Sequence, residues 1–237
     1  MRDRVAEGRG SAPLAKYVGL LDLLAAGGPA TPAELVTRTG LARPTVYRLL
    51  ANLENLGLVR RDGTGAVRLG LRLIRWGQAA LDLDVVQVSR PVMTALHQQT
   101  GESVQLYVPD GDARVCVMAV DRGAGLRDTV PVGARLPLDR GSAGKVLRAF
   151  GAVRVASEDD PELAAIRRQG YAESVAEREP GVASVSAPIR DPLGVVVAAI
   201  CVSGPLSRLG PSPGARFADA VVEAARQVEA AWARRER

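Results

Sequence analysis

The sequence has few of the side chains on which disulfide-rich, metal-binding and membrane-spanning proteins depend. It contains two cysteines, Cys116 and Cys201, which lie far apart with no paired spacing, and one histidine, His97. A disulfide framework or a zinc cluster needs more such side chains, so we expect neither of them and no other metal site. The longest apolar run, Val195–Val202, has eight residues. A helix that crosses a membrane needs about 20.

Two further features that the sequence lacks narrow the range of functions that we expect. Aromatic residues make up 3% of the 237 residues, which argues against a protein that binds single-stranded nucleic acid by stacking. The first ten residues lack the apolar core of a secretory signal, so we expect a cytoplasmic protein without a membrane partner. A lone histidine beside glutamines makes no convincing catalytic triad, and the isolated Gly63 and Gly65 have no phosphate-binding lysine. We therefore expect neither an enzyme nor a cofactor.

Positive charge is concentrated in the N-terminal third of the chain. Residues 1–76 contain twelve Lys and Arg against six Asp and Glu, a net charge of +6. Residues 77–237 contain nineteen against twenty, a net charge of −1. The asymmetry indicates an N-terminal part that binds nucleic acid, and chance in an arginine-rich chain is the alternative.

The first 70 residues show the pattern of a small helical domain that ends in a hairpin. Thr31 and Glu34 form a capping box, which starts a helix, and the segments before and after it show the apolar period of helices. Two β-rich segments around a Gly-rich turn follow. The predicted elements are helices at 14–26, from Thr31 to near Gly40 and from Arg43 to Asn55, and a hairpin over 58–69. This order predicts a winged helix-turn-helix over residues 13–70, preceded by a flexible arm at 1–12.

The third predicted helix carries the candidate DNA-reading face. Its apolar stripe, from Val46 to Leu53, faces inward, so the polar side chains opposite it face solvent. Arginine pairs with guanine, asparagine with adenine, and hydroxyl groups with phosphate. An ordinary solvated helix is the alternative. The candidate DNA-binding residues are Arg43, Pro44, Thr45, Tyr47, Arg48 and Asn52 on this helix and Arg61 and Arg68 on the hairpin.

Residues 71–84 predict a linker helix with an unusual amount of apolar surface. Leu73, Trp76 and Leu81 lie on more than one side of it. A solvated connector has no need of such side chains, and a second copy of the chain would cover them. We therefore expect a homodimer or a dimer of dimers that is stabilised partly by this helix.

Residues 85–237 show the mixed pattern of an α+β domain. A helix from Asp84 to Thr100 leads into it, and β-rich runs then alternate with helical stretches. The β-rich runs are 103–108, 114–120, 182–189 and 195–202, and the helical stretches are 142–150, 161–169, which Asp160 caps, and 213–235.

An ordered set of motifs runs along residues 14–233. In the N-terminal part they include Arg43-Pro44-Thr45-Val46-Tyr47-Arg48-Leu49-Leu50 and Leu53-Glu54-Asn55-Leu56-Gly57-Leu58-Val59. In the C-terminal part they include Thr100-Gly101-Glu102, Gly144-Lys145-Val146-Leu147, Pro180-Gly181-Val182 and Ala187-Pro188-Ile189. Together they resemble the IclR-type transcriptional regulators. The resemblance implies a ligand-responsive regulator, which we expect to be a repressor, with a GAF-like α/β effector-binding domain. Its implied partners are a double-stranded DNA operator and a small-molecule effector.

The resemblance also implies where an effector binds. The implied contact positions are Ser142, Ala143, Ser174, Ser184, Cys201 and Ser203. The helix that starts at Ser142 offers free backbone N–H groups to an anion, which favours a small organic or aromatic acid, and a plain glycine-rich helix entry is the alternative. Cys201 is equally well interpreted as an apolar packing residue. Arg140 is either a second anchor for the acid or one member of a surface ion pair.

Two departures from the family's pattern fall in this predicted site. Asp139 and Arg140 stand where family members often have His and a small residue, and Ser174 stands where they often have Asp. Loss of an acid and gain of an arginine would change the charge preference of the site.

Two rival functions are an enzyme with a DNA-binding appendage and a non-specific architectural DNA binder. The absence of acid–base and metal-binding patterns argues against the first. Competition by random DNA would test the second.

Overall fold

A computed structural model describes residues 12–80, 84–153 and 160–235 of the chain. These residues form two compact units, which divide between residues 80 and 81. The arm predicted at 1–12 lies outside the described residues except for its last position, and so do residues 81–83 of the predicted linker helix.

The N-terminal unit is a winged helix-turn-helix, as its sequence predicts. The Thr31 hydroxyl accepts a hydrogen bond from the Glu34 N–H at 3.3 Å, and the Glu34 carboxylate accepts one from the Thr31 N–H at 2.7 Å. This is the predicted capping box. Gly40 ends the same helix at φ +67°, a conformation that favours glycine. The elements are α1 (Ala12–Gly27), α2 (Pro32–Thr39), α3 (Arg43–Asn55), β1 (Val59–Arg61) and β2 (Val67–Leu69).

One apolar core holds this unit together. The stripe of α3 is buried as predicted and packs with side chains of α1, α2 and both strands. Ala30 and Val67 pair as an isolated bridge, which ties the α1–α2 connection to the hairpin. A Cβ atom at Gly70 would overlap the carbonyl oxygen of Gly57, so only glycine fits where the chain leaves the hairpin. The largest fully buried side chains are Leu20, Leu35, Val46, Leu50 and Leu53.

The linker helix α4 (Arg72–Ala80) has no buried residue. Ile74 and Trp76 are exposed, Trp76 by 46%, and so is Leu71 just before the helix. The Arg72 guanidinium donates to the Leu56 carbonyl oxygen at 2.9 Å and lies 5.1 Å from the centre of the Trp76 ring. The apolar surface predicted on this helix is therefore uncovered within the described residues of the N-terminal unit.

The C-terminal unit is an α+β domain built on one antiparallel sheet. Its helices are α5 (Asp84–Thr100), α6 (Ser142–Ala149), α7 (Pro161–Gln169), α8 (Leu206–Leu209) and α9 (Pro213–Arg235). Its strands are β3 (Ser103–Asp110), β4 (Ala113–Val120), β5 (Arg135–Pro137), β6 (Ala172–Val175), β7 (Val182–Arg190) and β8 (Val196–Pro205). They pair in the order β5-β4-β3-β8-β7-β6. The carboxylate of Asp160 caps α7, as predicted.

The sequence pattern did not predict β5, β6 or α8. The two strands have three and four residues and lie at the edges of the sheet, and the helix has four residues. Segments of this length are too short for apolar alternation or a helical period to show. The helix α5 runs through Pro91 without a break.

Helices cover both faces of this sheet. The pair α5 and α9 packs on the face that carries Leu106 and Ile200, and the pair α6 and α7 packs on the face that carries Tyr107 and Ala199. Alternate residues of each strand therefore serve two separate cores. Across residues 12–80, 84–153 and 160–235, no helix is long and apolar enough to cross a membrane.

Candidate DNA-reading surface and effector cavity

The exposed side of α3 carries most of the predicted DNA-reading residues. The Arg43 guanidinium lies 5.4 Å from the centre of the Tyr47 ring and donates to its hydroxyl at 3.4 Å. Thr45 is half-buried beside them. Within the part of the chain that the structure describes, the exposed Arg48 makes no hydrogen bond or ion pair. Its guanidinium is therefore available to a base edge or a phosphate.

Three other predicted DNA-binding side chains have partners within the unit. The Asn52 amide donates to the Tyr17 hydroxyl at 2.6 Å, which turns it toward α1. On the hairpin, Arg61 and Arg68 each pair with a nearby carboxylate, at Nε–O distances of 3.3 and 2.8 Å. Exposed ion pairs are weak, so phosphate groups can compete for both arginines.

A small polar cavity lies between the sheet and the start of α6. A water-sized sphere can reach about 20 Å³ of it, which is room for one water molecule. All six positions implied by the family resemblance line it, namely Ser142, Ala143, Ser174, Ser184, Cys201 and Ser203. Sequence reasoning missed the other lining residues, which are Tyr107, Arg114, Asp128, Gly141, Arg178 and Val182.

Strand register brings the hydroxyl groups of the cavity together. Ser174 lies opposite Ser184, and Ser184 lies opposite Ser203, so a row of serines crosses β6, β7 and β8. The Ser142 Oγ, from α6, lies 2.7 Å from the Ser184 Oγ and 2.8 Å from the Ser186 Oγ. Because a hydroxyl group can donate or accept, this cluster can adapt to a ligand oxygen.

Cys201 belongs both to the cavity and to the apolar core beneath α6. Its Sγ lies 3.8 Å from the Ser142 Oγ, and the residue is buried in the cluster that contains Val146 and Leu147. Burial raises the pKa of the Cys201 thiol, so this group stays protonated at neutral pH.

The first turn of α6 presents unpaired amide groups beside the cavity. The Gly141 N–H donates to the Glu177 carboxylate at 3.0 Å. No acceptor among the described residues meets the N–H groups of Ser142 and Ala143. Free amides at a helix N-terminus favour an anion, because the helix dipole adds to their partial positive charge.

The Glu177 carboxylate already has partners of its own, among them Lys145, which it shares with Glu162. It accepts hydrogen bonds from the Lys145 ammonium and from the Gly141 N–H. Burial raises the pKa of Glu177, but these hydrogen bonds and the positive charge of Lys145 outweigh burial, so the pKa lies below its ordinary value. Glu177 is therefore ionised and paired at neutral pH.

Arg114 is the most buried charged side chain of the cavity, with 2% of its surface exposed. Its guanidinium donates to the carbonyl oxygens of Pro137 and, at 2.9 Å, of Arg140, and it lies 5.3 Å from the centre of the Tyr107 ring. Burial lowers the pKa of Arg114, although arginine stays charged in proteins.

An ion pair in the lining of the cavity joins two loops. The Arg178 guanidinium donates to the Asp128 carboxylate at 2.6 Å, and Asp128 is only 7% exposed. A surface groove of about 420 Å³ lies on the outer side of Asp128 and is also lined by Pro180 and Gly181. The cavity must widen before an organic molecule can enter it, because its present volume has room for one water molecule.

Arg140 does not line the cavity. Its side chain is 53% exposed, and its Nε lies 3.3 Å from the Asp139 carboxylate. Only its carbonyl oxygen turns inward, toward Arg114. Of the two interpretations of Arg140, the structure contains the surface ion pair, and the expectation that this side chain anchors a ligand is not met.

Both units match one protein family. Residues 13–63 match the IclR helix-turn-helix domain, and residues 77–158 and 160–230 match the C-terminal domain of the bacterial transcriptional regulator IclR. The chain belongs to the IclR family of transcriptional regulators. The resemblance seen in its motifs is therefore confirmed over nearly the whole chain.

Two IclR-family relatives are similar over most of their length. The HTH-type transcriptional regulator BhcR of Paracoccus denitrificans is 32% identical over 237 residues, which cover 91% of this chain and 85% of that protein. The glycerol operon regulatory protein of Streptomyces coelicolor is 31% identical over 217 residues, which cover 83% and 85%. Both relatives are named as regulators, so the chain is a DNA-binding regulator rather than an enzyme.

Solved IclR-family structures share the fold. The IclR protein of Thermotoga maritima aligns with a TM-score of 0.74 at 23% identity, covering 92% of this chain and 97% of that one. An IclR homologue from Microbacterium hydrocarbonoxydans, complexed with 4-hydroxybenzoate, aligns with a TM-score of 0.75 at 24% identity, covering 94% and 100%. The predicted fold class is therefore confirmed, with a helix-turn-helix unit followed by an α/β unit on a curled antiparallel sheet.

Proposed function

We propose that this IclR-family protein is a cytoplasmic repressor that binds a DNA operator through α3 and a small organic acid through the cavity beside α6. One observation carries the proposal. Six positions implied by the family resemblance converge on one closed polar cavity, which lies in a different unit from the DNA-reading helix. By linkage, DNA and ligand must then change each other's affinity by the same factor.

Operator recognition centres on Arg48 in this proposal. It is exposed and unpaired within residues 12–80, and it lies on the side of α3 opposite the buried stripe. Arg43 and Tyr47 flank it and contact phosphate groups, while Arg61 and Arg68 follow the DNA backbone from the wing. Asn52 reads an adenine only if its hydrogen bond to Tyr17 opens.

A homodimer, or a dimer of dimers, supplies the second DNA-reading helix. The uncovered Ile74 and Trp76 on α4 support this, because a soluble helix rarely leaves such side chains in water without a partner. Two copies related by a two-fold axis would bind an operator of matching symmetry.

A carboxylate is the ligand group that the cavity favours. The N–H groups of Ser142 and Ala143 supply donors for its oxygens, and the hydroxyls of Ser184 and Ser203 supply polar contacts around it. The homologue from Microbacterium hydrocarbonoxydans is complexed with 4-hydroxybenzoate, an aromatic acid, which supports the same class of ligand here.

The small volume of the cavity links ligand binding to a change in the conformation of the protein. Because the cavity has room for one water molecule, an organic acid can bind only to a state in which the cavity has widened, the open state. A ligand that binds this open state selectively increases its population. We propose that the open state has a lower affinity for the operator.

The proposal is tested by combining an operator titration with an acid screen. Labelled DNA from the region upstream of the gene and its neighbours is titrated with the full chain by fluorescence anisotropy, with excess unlabelled random DNA present. Organic and aromatic acids are screened by thermal shift, and hits are added to the titration. We expect specific binding that at least one acid weakens. Equal competition by random DNA would instead support the architectural binder.

A variant of the cavity separates ligand response from DNA binding. Ser142→Trp fills the cavity, so it should abolish the response to an acid while basal operator binding survives. Ser207→Trp, at an exposed position of α8, is the matched control and should behave like the wild type. A compound that acts equally on the wild type and on Ser142→Trp binds outside the cavity. A wild type that responds only to neutral or cationic compounds contradicts the proposal that the ligand is an acid.

A further inference from the structure

The charges that line the cavity do not cancel. Three charged side chains line it, namely Arg114, Asp128 and Arg178. Asp128 and Arg178 form an ion pair at 2.6 Å, so their charges neutralise each other. Arg178 also pairs with Glu179, and Lys145 is shared by Glu177 and Glu162, but Glu162, Glu177, Glu179 and Lys145 all lie outside the lining. The cavity is therefore left with one net positive charge, which Arg114 carries.

Arg114 has no counter-ion in the part of the chain that the structure describes. No carboxylate oxygen lies within ion-pair distance of its guanidinium, whose recorded acceptors are the carbonyl oxygens of Pro137 and Arg140. Its Nε is buried and has no acceptor at all among those residues. Burying an ionised group without a partner is costly, so a site that keeps one is suited to receive an anion.

Two glycines place this guanidinium against the start of α6. A Cβ atom at Gly141 would lie 2.9 Å from the Arg114 Nη2, and one at Gly144 would lie 2.7 Å from the Nη1. At Gly144 the Cβ atom would also lie 2.5 Å from the carbonyl oxygen of Leu138, so the backbone itself requires glycine there, and the guanidinium packs directly against it. The guanidinium and the unpaired N–H groups of Ser142 and Ala143 therefore act on the same small volume.

We infer that Arg114 is the specificity-determining residue of the cavity and that it selects a monocarboxylate. This inference rests on the proposed function, since it takes the cavity to be the effector site. One carboxylate neutralises the single uncompensated charge and fills the empty acceptor position at the Nε. A neutral amide leaves the charge unpaired, and a dicarboxylate brings a second negative charge for which the lining has no free cation among the described residues.

The experiment measures binding to the full chain directly, by isothermal titration calorimetry at neutral pH. The probes are acetate, pyruvate and benzoate, each with its amide, and malonate and terephthalate as dicarboxylates. We expect at least one monocarboxylate to bind the wild type more than about tenfold more tightly than its amide and its dicarboxylate. A wild type that binds amides as tightly as acids, or binds none of the acids, overturns the inference.

Variants then assign the preference to Arg114. Arg114→Gln should remove the preference for acid over amide. Arg114→Lys keeps the charge and should keep a preference, which covers the possibility that the Gln variant does not fold. A folded Gln variant with the wild-type preference, or a folded Lys variant with none, shows that Arg114 only supports the loop between Pro137 and Arg140 and overturns the inference.

A matched control removes the other charges of the cavity. The double variant Asp128→Asn with Arg178→Gln leaves the net charge of the lining unchanged, so the preference for acids should survive. Loss of the preference in this variant assigns selection to Arg178 and overturns the inference. The operator titration tests the proposed function separately. If acids bind through Arg114 without changing the affinity for the operator, only the proposed repressor function is contradicted. If acids release the operator independently of Arg114, only the inference about Arg114 is contradicted.

Discussion

The two units of this chain use arginine in opposite ways. Arg48, on α3, is exposed and has no partner within the described residues, whereas Arg114, on β4, is 2% exposed and faces a cavity. An exposed guanidinium keeps its hydration until DNA replaces it, so folding is insensitive to it. A buried one has lost its hydration already, so its charge affects both stability and ligand choice. Substitutions on the DNA-reading face should therefore change binding alone, while those in the cavity should also change stability.

The largest effect on stability is expected from Asp128→Asn. It removes the buried partner of Arg178, and loss of one member of a buried pair costs about 3–5 kcal/mol. Because Arg178 is partly exposed and keeps a second carboxylate, that of Glu179, at 3.5 Å, we expect a decrease of about 1–3 kcal/mol in the free energy of unfolding in urea. Glu54→Gln breaks the exposed pair with Arg61 and should cost about 0–1 kcal/mol. If the two variants lost the same free energy of unfolding, the burial of an ion pair would not explain a difference between the two units.

Arg48→Ala should weaken operator binding by about 1–3 kcal/mol, because it removes a contact to a base edge. The free energy of unfolding should stay at the wild-type value, since the exposed side chain makes no hydrogen bond or ion pair among the described residues. Arg90→Ala, at an exposed position of α5 in the other unit, is the matched control. Unchanged affinity in a gel-shift titration would remove Arg48 from the reading face.

Trp76→Glu should weaken the proposed dimer by about 1–2 kcal/mol, because it would place a carboxylate in the apolar contact that we propose on α4. Sedimentation equilibrium measures the dissociation constant. Arg75→Glu changes the charge at the neighbouring exposed position without removing an apolar side chain, and it should have the smaller effect. A wild type that sediments as a monomer at micromolar concentration would contradict the interface on α4.

The smallest effect is expected from Arg68→Ala on the wing. A lost phosphate contact should weaken binding to operator and random DNA alike, and the slope of log K against log salt should fall by about 1. Anisotropy titrations over a range of salt concentrations measure both quantities. A loss confined to the operator would mean that Arg68 contacts a base rather than a phosphate.

Local chemistry in the sequence determined the DNA-reading unit almost completely. The capping box of Thr31 and Glu34, the stripe of α3 and the turn of the hairpin all depend on residues within a few positions of one another. Short-range hydrogen bonds and a helical period are readable from the chain itself. The exposure of Arg48 follows from them. The cap of α7 at Asp160 was predictable for the same reason.

The tertiary structure alone decided which charges meet in the cavity. Arg114 reaches Gly141, Gly144 and the carbonyl of Arg140 only because β4 and the start of α6 are brought together by the sheet and its register. The Asp128–Arg178 pair joins two loops that are distant in the chain. Arg140 directly precedes two residues that line the cavity, Gly141 and Ser142, yet its side chain turns to solvent and pairs with Asp139. Side-chain direction and long-range pairing depend on packing between elements, and no local pattern in the sequence encodes them.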